Sequence, residues 1–323
     1  MIVVTVHFLL AFGLARVMVA LGPVDVPGGR KAHARPTPKA GGIAIIATCV
    51  AMTGAFSTFY NGETTIGLAA ALCLGAVGLL DDLREMSATR KLIAQVLAAI
   101  LAVHWGPDLP FGGGPMIQGL AIVGLVFLTN AFNFMDGLDG LAGSVGLVAA
   151  GTIACLAPAA GPAQMLALAL ALGLAGFLPF NWHPAQLFLG DTGSQFCGFL
   201  LGLLGLWLAA ETREAASLAL VPMLLLGLIG DVLVTLAARA AAGARLTSGH
   251  REHLYQRARL RPACVALAHA GFAALGGIAW IIGAGGHPWA GLVLVGLPQI
   301  AWLSLLPATP RPRRSVRIPA RSC

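Results

Sequence analysis

The chain is 323 residues long, 58% hydrophobic and only 10% charged, with a formal net charge of +7. A soluble domain carries roughly 25% charged residues, so the composition excludes one. The positive charge reads as membrane topology plus a basic tail, Arg311-Pro312-Arg313-Arg314-Ser315-Val316-Arg317, and not as a nucleic-acid surface.

Apolar runs long enough to cross roughly 30 Å of hydrocarbon recur along the whole chain. They predict an all-α fold, a polytopic transmembrane helical bundle of about eleven spans, with ten as the alternative count. The expected limits are 2–22, 41–60, 64–80, 91–106, 116–133, 141–158, 163–180, 194–210, 216–238, 263–285 and 288–306. Residues 1–323 are expected to form a single integral-membrane domain, ending in a basic tail at 307–323. A β-barrel would alternate with period two over about ten residues, and that pattern is absent. The first run opens Met1-Ile2-Val3-Val4-Thr5-Val6 without a basic start and is longer than a signal core, so it reads as a retained helix. The 42 glycines favour close helix packing.

One alternate set of polar gaps comprises 23–40, 81–90, 134–140, 181–193, 239–262 and the tail from 307. Of the 20 Lys and Arg, 18 lie in or beside these gaps; Arg213 falls in an opposite gap and Arg16 inside the first span. Positive charge marks the cytoplasmic side, which places this set in the cytoplasm and the N-terminus outside. The six cysteines are scattered without a CxxC pair, so neither a disulfide framework nor a zinc site is implied. No GxxxxGK[ST] loop is present, and no GxGxxG follows a strand, which excludes P-loop and Rossmann nucleotide binding.

The acids concentrate in the same gaps, where they can meet at one membrane face. Asp81 and Asp82 end the third run, and adjacent helical residues point about 100° apart, so the two carboxylates are suited to different jobs. One would hold a metal and the other a substrate proton; Mg²⁺ prefers one or two carboxylates plus phosphate oxygens and water. In the segment Asn130 to Asp139, Asn130, Asn133, Asp136 and Asp139 recur every three residues, near one face of a helix. The plain alternative is an Asp/Gly turn. Pro184 breaks the helix before Phe188-Leu189-Gly190-Asp191-Thr192-Gly193, where the glycines allow close backbone approach and Phe188 offers a flat face to a base. Asp191-Thr192 would otherwise serve as a helix cap. Histidines in loops are commonly without a role, but His250 and His253 amid Arg251 and Arg257 would form a pocket suited to an anion. Asp231, Thr235 and Arg239 share helical spacing upstream, and an acid within a span has a partner or a role.

Taken together, the Pro36-to-Gly42 loop, the Asp81-Asp82 pair, Asn130 to Gly143, Phe180 to Ser194 and His250 to Arg257 resemble the polyprenyl-phosphate N-acetylhexosamine-1-phosphate transferases. This is the family of phospho-N-acetylmuramoyl-pentapeptide transferase, and the histidine loop looks most like its O-antigen-initiating branch. The loop departs from the fuller histidine cluster, since Arg251 and Glu252 separate His250 and His253. The resemblance implies a multi-pass protein of the bacterial inner membrane that moves a sugar-1-phosphate from a UDP-sugar to undecaprenyl phosphate and releases UMP. It implies a cytoplasmic active site with Mg²⁺, or Mn²⁺ in its place, held by Asp191 and Asp82. Asp81 would accept a proton from the lipid phosphate. Asn133, Asp136 and Asp139 would line the nucleotide pocket, with Phe188 stacking on uracil and Asn181 nearby. Lys31, Lys91, His250, Arg251 and His253 would meet the diphosphate. A homodimer is compatible with this reading. Two alternatives stand beside it: a secondary transporter coupled to protons through Asp231, and a membrane transferase using a CDP-linked substrate.

Overall fold

A computed structural model describes residues 2–25, 35–56, 62–110, 114–244, 252–258, 260–284 and 288–304. Helices are α1 (Ile2–Leu21), α2 (Gly41–Ala55), α3 (Gly62–Leu83), α4 (Ala88–His104), α5 (Pro115–Met135), α6 (Leu141–Leu156) and α7 (Pro162–Asn181). They continue as α8 (Gly190–Thr212), α9 (Leu220–Leu224), α10 (Leu226–Ala241), α11 (Leu254–Arg257), α12 (Pro262–Ala284) and α13 (Pro288–Ser304). Each expected span contains a helix. Among the described residues, six helices are long and apolar enough to cross a membrane alone. The ninth span is broken: the segment Ala215–Leu224 and the helix Leu226–Ala241 meet at 72°.

Local sequence explains the helix limits. Proline, which costs nothing at the first helical position, opens α5, α7, α12 and α13. Ser87 caps α4 by accepting the Arg90 N–H. At the other end of α5, helix propagation stops at Met135. Asp136 and Asp139 therefore lie in a turn beyond the helix, and only Asn130 and Asn133 of the expected four-residue stripe are helical. Gly140, at φ +76°, then starts α6.

Helix α8 is the centre of the bundle, buried along most of its length and packed by α2, α3, α5 and α7. Its glycines leave room for large neighbours: a Cβ at Gly198 would strike Phe132 of α5 at 2.8 Å, and one at Gly202 would strike Leu125 at 2.7 Å. Small residues thus replace a hydrophobic driving force in setting helix contact. The only described sheet is a two-stranded antiparallel ribbon, β1 (Val24–Asp25) with β2 (Thr37–Pro38). Its continuation at Lys39 pairs with Phe188, tying the first basic loop to the start of α8.

Candidate active site

The C-terminal ends of α3 and α5 and the N-terminal ends of α4 and α8 meet at one end of the bundle. The loop before α8 is clamped from both sides. Phe188 N–H donates to Pro38 O at 2.8 Å, and Gly41 and Gly42 N–H donate to Phe188 O and Leu189 O at 3.0 Å each. Phe188 is half-buried there.

A helix N-terminus leaves backbone N–H groups without intrahelical partners. At α8 the missing acceptor comes from another helix. Asp82 Oδ1 accepts Asp191 N–H at 3.1 Å, while Asp82 Oδ2 accepts Thr192 N–H at 2.9 Å and the Thr192 hydroxyl at 2.7 Å. The helix dipole favours this buried charge. Lys39 adds a looser pairing, 3.7 Å from Asp82 Oδ1. Gly190 permits the turn: its φ is +74°, and a Cβ would strike Asp82 Oδ2. On the facing helix, a Cβ at Gly78 would collide with Asp191 O, so only glycine lets α3 reach the loop.

Asp81 points elsewhere, as adjacent helical positions must. Its Oδ1 accepts Met86 N–H at 2.6 Å, and its Oδ2 lies 3.0 Å from Lys91 Nζ. The same ammonium donates to Asp191 Oδ2 at 2.8 Å. Lys91 thus bridges two carboxylates from separate polar gaps.

A second polar layer lies one helical turn deeper. Gln95 is four residues beyond Lys91, and Gln195 four beyond Asp191. Gln95 Nε2 donates to Asn130 Oδ1 and Gln195 Oε1 at 3.4 Å each, and Asn130 Nδ2 donates to Gln95 Oε1 at 2.6 Å. Asn133 Nδ2 donates to Ser194 Oγ at 2.7 Å. These amides lock α4, α5 and α8 in the register that brings Lys91 to Asp191.

The turn after α5 fastens to the segment before α8. Asn181, 3% exposed, accepts Gly140 N–H at 3.1 Å and donates to Leu187 O at 3.0 Å. Asp139 Oδ2 accepts His183 Nδ1–H at 2.7 Å and Ala185 N–H at 3.1 Å. Asn181 and Asp139 therefore shape the pocket wall. Asp136 is different, because its carboxylate makes no hydrogen bond among the described residues. Burial first, then the carboxylates of Asp191, Asp82 and Asp139, push its pKa well above the ordinary carboxylate value.

Helix α11 docks on the same end. Tyr255 OH donates to Phe134 O at 3.0 Å and accepts from Gln256 Nε2 at 3.0 Å. Burial, and then the charges of Asp231 and Asp136, raise the phenol pKa, which keeps Tyr255 a neutral donor. His253 is 3% exposed, with its ring 5.9 Å from that of Phe134. Its Nδ1 lies 2.9 Å from Asp231 Oδ1. Lys31, His250 and Arg251 lie outside the described residues.

No three His, Cys, Asp or Glu side chains form a metal cluster among the described residues. Mg²⁺ does not require one, since it uses one or two carboxylates with substrate phosphates and water. Asp191, beside an uncompensated Asp136, fits that demand, because a divalent cation relieves crowded negative charge. Asp82 offers less to a metal here, with both oxygens engaged at the α8 terminus.

Comparison with known proteins places the chain in a family. The profile described as Glycosyl transferase family 4 matches residues 64–209, the stretch holding Asp81 to Asp191. A Bacillus subtilis protein named Probable undecaprenyl-phosphate N-acetylglucosaminyl 1-phosphate transferase is 31% identical over 258 residues, 75% of this chain and 71% of that protein. The chain belongs to glycosyl transferase family 4.

The transferase is also 31% identical to a decaprenyl-phosphate N-acetylglucosaminephosphotransferase of Mycolicibacterium smegmatis, over 76% of this chain and 71% of that one. A phospho-N-acetylmuramoyl-pentapeptide-transferase of Deinococcus radiodurans is 35% identical over 190 residues, 50% of this chain and 59% of its own. With its apolar helices, the transferase is a multi-pass protein of the bacterial inner membrane. Relatives named as transferases speak against the transporter alternative.

The sequence presents Thr192 only as a helix cap and assigns no role to Gln95, Gln195 or Tyr255. Their signals were weak but present: Gln95 and Gln195 each follow a charged partner at helical spacing, and Tyr255 lies inside the histidine motif.

Proposed function

We propose that this transferase moves a sugar-1-phosphate from a UDP-N-acetylated hexosamine to undecaprenyl phosphate, releasing UMP, as the first membrane step of a cell-envelope polysaccharide. The observation that carries the reading is the Lys91 ammonium, 3.0 Å from Asp81 and 2.8 Å from Asp191, at the end of the bundle where the polar gaps converge. The relatives named for polyprenyl-phosphate substrates support it. So does the excess of Lys and Arg in the gaps at this end of the bundle, since positive charge favours the cytoplasmic side, where UDP-sugars are made.

In the proposed reaction an oxygen of the lipid phosphate attacks the β-phosphorus of the donor. The bond from that phosphorus to the bridging oxygen breaks, and UMP departs with that oxygen. Negative charge crowds together in such a step, so catalysis is mainly neutralisation and in-line positioning. Asp191 would hold Mg²⁺, or Mn²⁺ in its place, and Asp82 keeps Asp191 in position by capping the start of α8. The metal, when bound, supplies positive charge to the diphosphate oxygens and the leaving UMP. Asp81 takes the proton from a monoprotonated lipid phosphate. Lys91, Lys31 and Arg251 neutralise the diphosphate, which His250 and His253 contact. Asn133 and Asp136 face the nucleotide, Phe188 stacks on uracil, and Asn181 and Asp139 shape the wall.

Purified protein with undecaprenyl phosphate, Mg²⁺ and a panel of UDP-hexosamines, read by mass spectrometry of the lipid fraction, tests this. A lipid diphosphate sugar from one donor is expected. A panel without any lipid-linked product, or a product formed only from a CDP-linked substrate, overturns the reading.

A further inference from the structure

Asp231 of α10 is 3% exposed, and donors of four residues converge on its carboxylate. Oδ1 lies 2.9 Å from His253 Nδ1, 3.1 Å from Leu254 N and 3.4 Å from Thr235 Oγ1, and Oδ2 lies 2.8 Å from Tyr255 N. Leu254 and Tyr255 open α11, so the carboxylate both closes that helix end and holds the ring preceding it. The imidazole is then confined by aromatic faces, with Phe134 at 5.9 Å and Tyr255 at 5.7 Å between ring centroids. Arg239, one further turn along α10 from Thr235, binds Glu252 at 2.6 Å, which pins the segment just before His253.

We propose that Asp231 is a positioning residue that fixes His253 in its Nδ1–H tautomer, which makes Nε2 the ring's acceptor. An ionised carboxylate only accepts, so a hydrogen bond at 2.9 Å requires the proton on Nδ1. A neutral imidazole has a single N–H, which leaves the lone pair on Nε2. A buried ring locked in tautomer and orientation can offer that lone pair to a substrate proton, a P–OH or a sugar hydroxyl, without reorganising. The task given to Nε2 rests on the transferase reading, while the tautomer itself does not.

The test is ¹⁵N NMR of histidine-labelled protein in lipid nanodiscs at about pH 9, well above the ordinary histidine pKa of about 6.5. The His253 signals are those lost in His253→Gln. We expect a protonated Nδ1 and a bare Nε2 in the wild type, and a shift toward the Nε2–H form in Asp231→Asn. In transfer assays Asp231→Asn should lower kcat at least about tenfold with KM nearly unchanged. An Nε2–H tautomer in the wild type overturns the proposal, as does an Asp231→Asn spectrum identical to the wild type. Should Asp231→Asn fail to fold, the wild-type tautomer decides alone. A protein with the expected tautomer and no transferase activity would sink the functional reading and leave this one standing.

Discussion

Asp82 holds Thr192 twice, taking its backbone N–H at 2.9 Å and its hydroxyl at 2.7 Å on one carboxylate oxygen. The two residues come from different polar gaps, and their contact sets where Asp191 stands. Asp82→Asn replaces an acceptor with an amide donor facing those groups. It should cost about 1–3 kcal/mol of stability, since a buried donor loses its acceptor. Activity should fall roughly 10²-fold through misplacement of Asp191. Thermal denaturation in detergent beside the transfer assay checks both, and Asp82→Asn with wild-type stability would remove the capping role.

Lys91 is the shared cation of Asp81 and Asp191. Lys91→Ala leaves two carboxylates facing each other without it, and kcat should drop by about 10² to 10³. Lys91→Arg should restore little, because a planar fork does not replace a point charge between two acids. Steady-state kinetics decide; a Lys91→Ala rate within about twofold of wild type would mean that the bridge is only structural.

The amide layer beneath the charged pair makes a prediction about stability. Asn130→Leu strips Gln95 Oε1 of its 2.6 Å donor and should cost about 1–3 kcal/mol. Gln95→Leu should cost a similar amount. Because the two side chains bond each other, the double variant should lose less than the sum of the singles. A double-mutant cycle by reversible unfolding in mixed micelles measures this, and strict additivity would contradict the layer.

Asp136 gives a pH signature of known sign. Its pKa is raised in the folded state, by burial and then by the neighbouring carboxylates, so the native protein binds more protons there than the unfolded chain. Stability should therefore fall as pH rises from the ordinary carboxylate range through the raised value. Asp136→Asn should flatten that decline and stabilise the apoprotein near neutrality. Melting temperature against pH for both proteins, in chelator, is the check; parallel curves would count against it.

Much of this was legible in the sequence because membrane proteins write topology plainly. Long apolar runs announced the helices, and the Lys and Arg bias pointed to the shared face. Asp81, Asp82 and Asp191 stood out as acids at span ends. What the sequence concealed was division of labour. Asp81 and Asp82 differ by one position, yet one faces Lys91 and the other caps a helix from a distant gap, a distinction made only by helix packing. The stripe from Asn130 to Asp139 failed as a helical face because Asp136 and Asp139 lie past the helix end, where Gly137 and Gly140 favour a turn. Asp231 stood out only as an acid within a span that needs a partner, and the fold supplies that partner in residues 253–255. Gln95 and Gln195 carried no charge to draw attention, although their spacing from Lys91 and Asp191 was available.

The most direct test follows a single phosphorus atom. UDP-N-acetylglucosamine labelled with ³²P at the β-phosphate is incubated with undecaprenyl phosphate, Mg²⁺ and either wild-type protein or Asp191→Asn. The account predicts label in the lipid with unlabelled UMP in the aqueous phase for wild type, or for the first donor of the panel that is accepted, and no lipid label for Asp191→Asn. Label remaining with the nucleotide while sugar enters the lipid, or equal lipid label from Asp191→Asn, would contradict it.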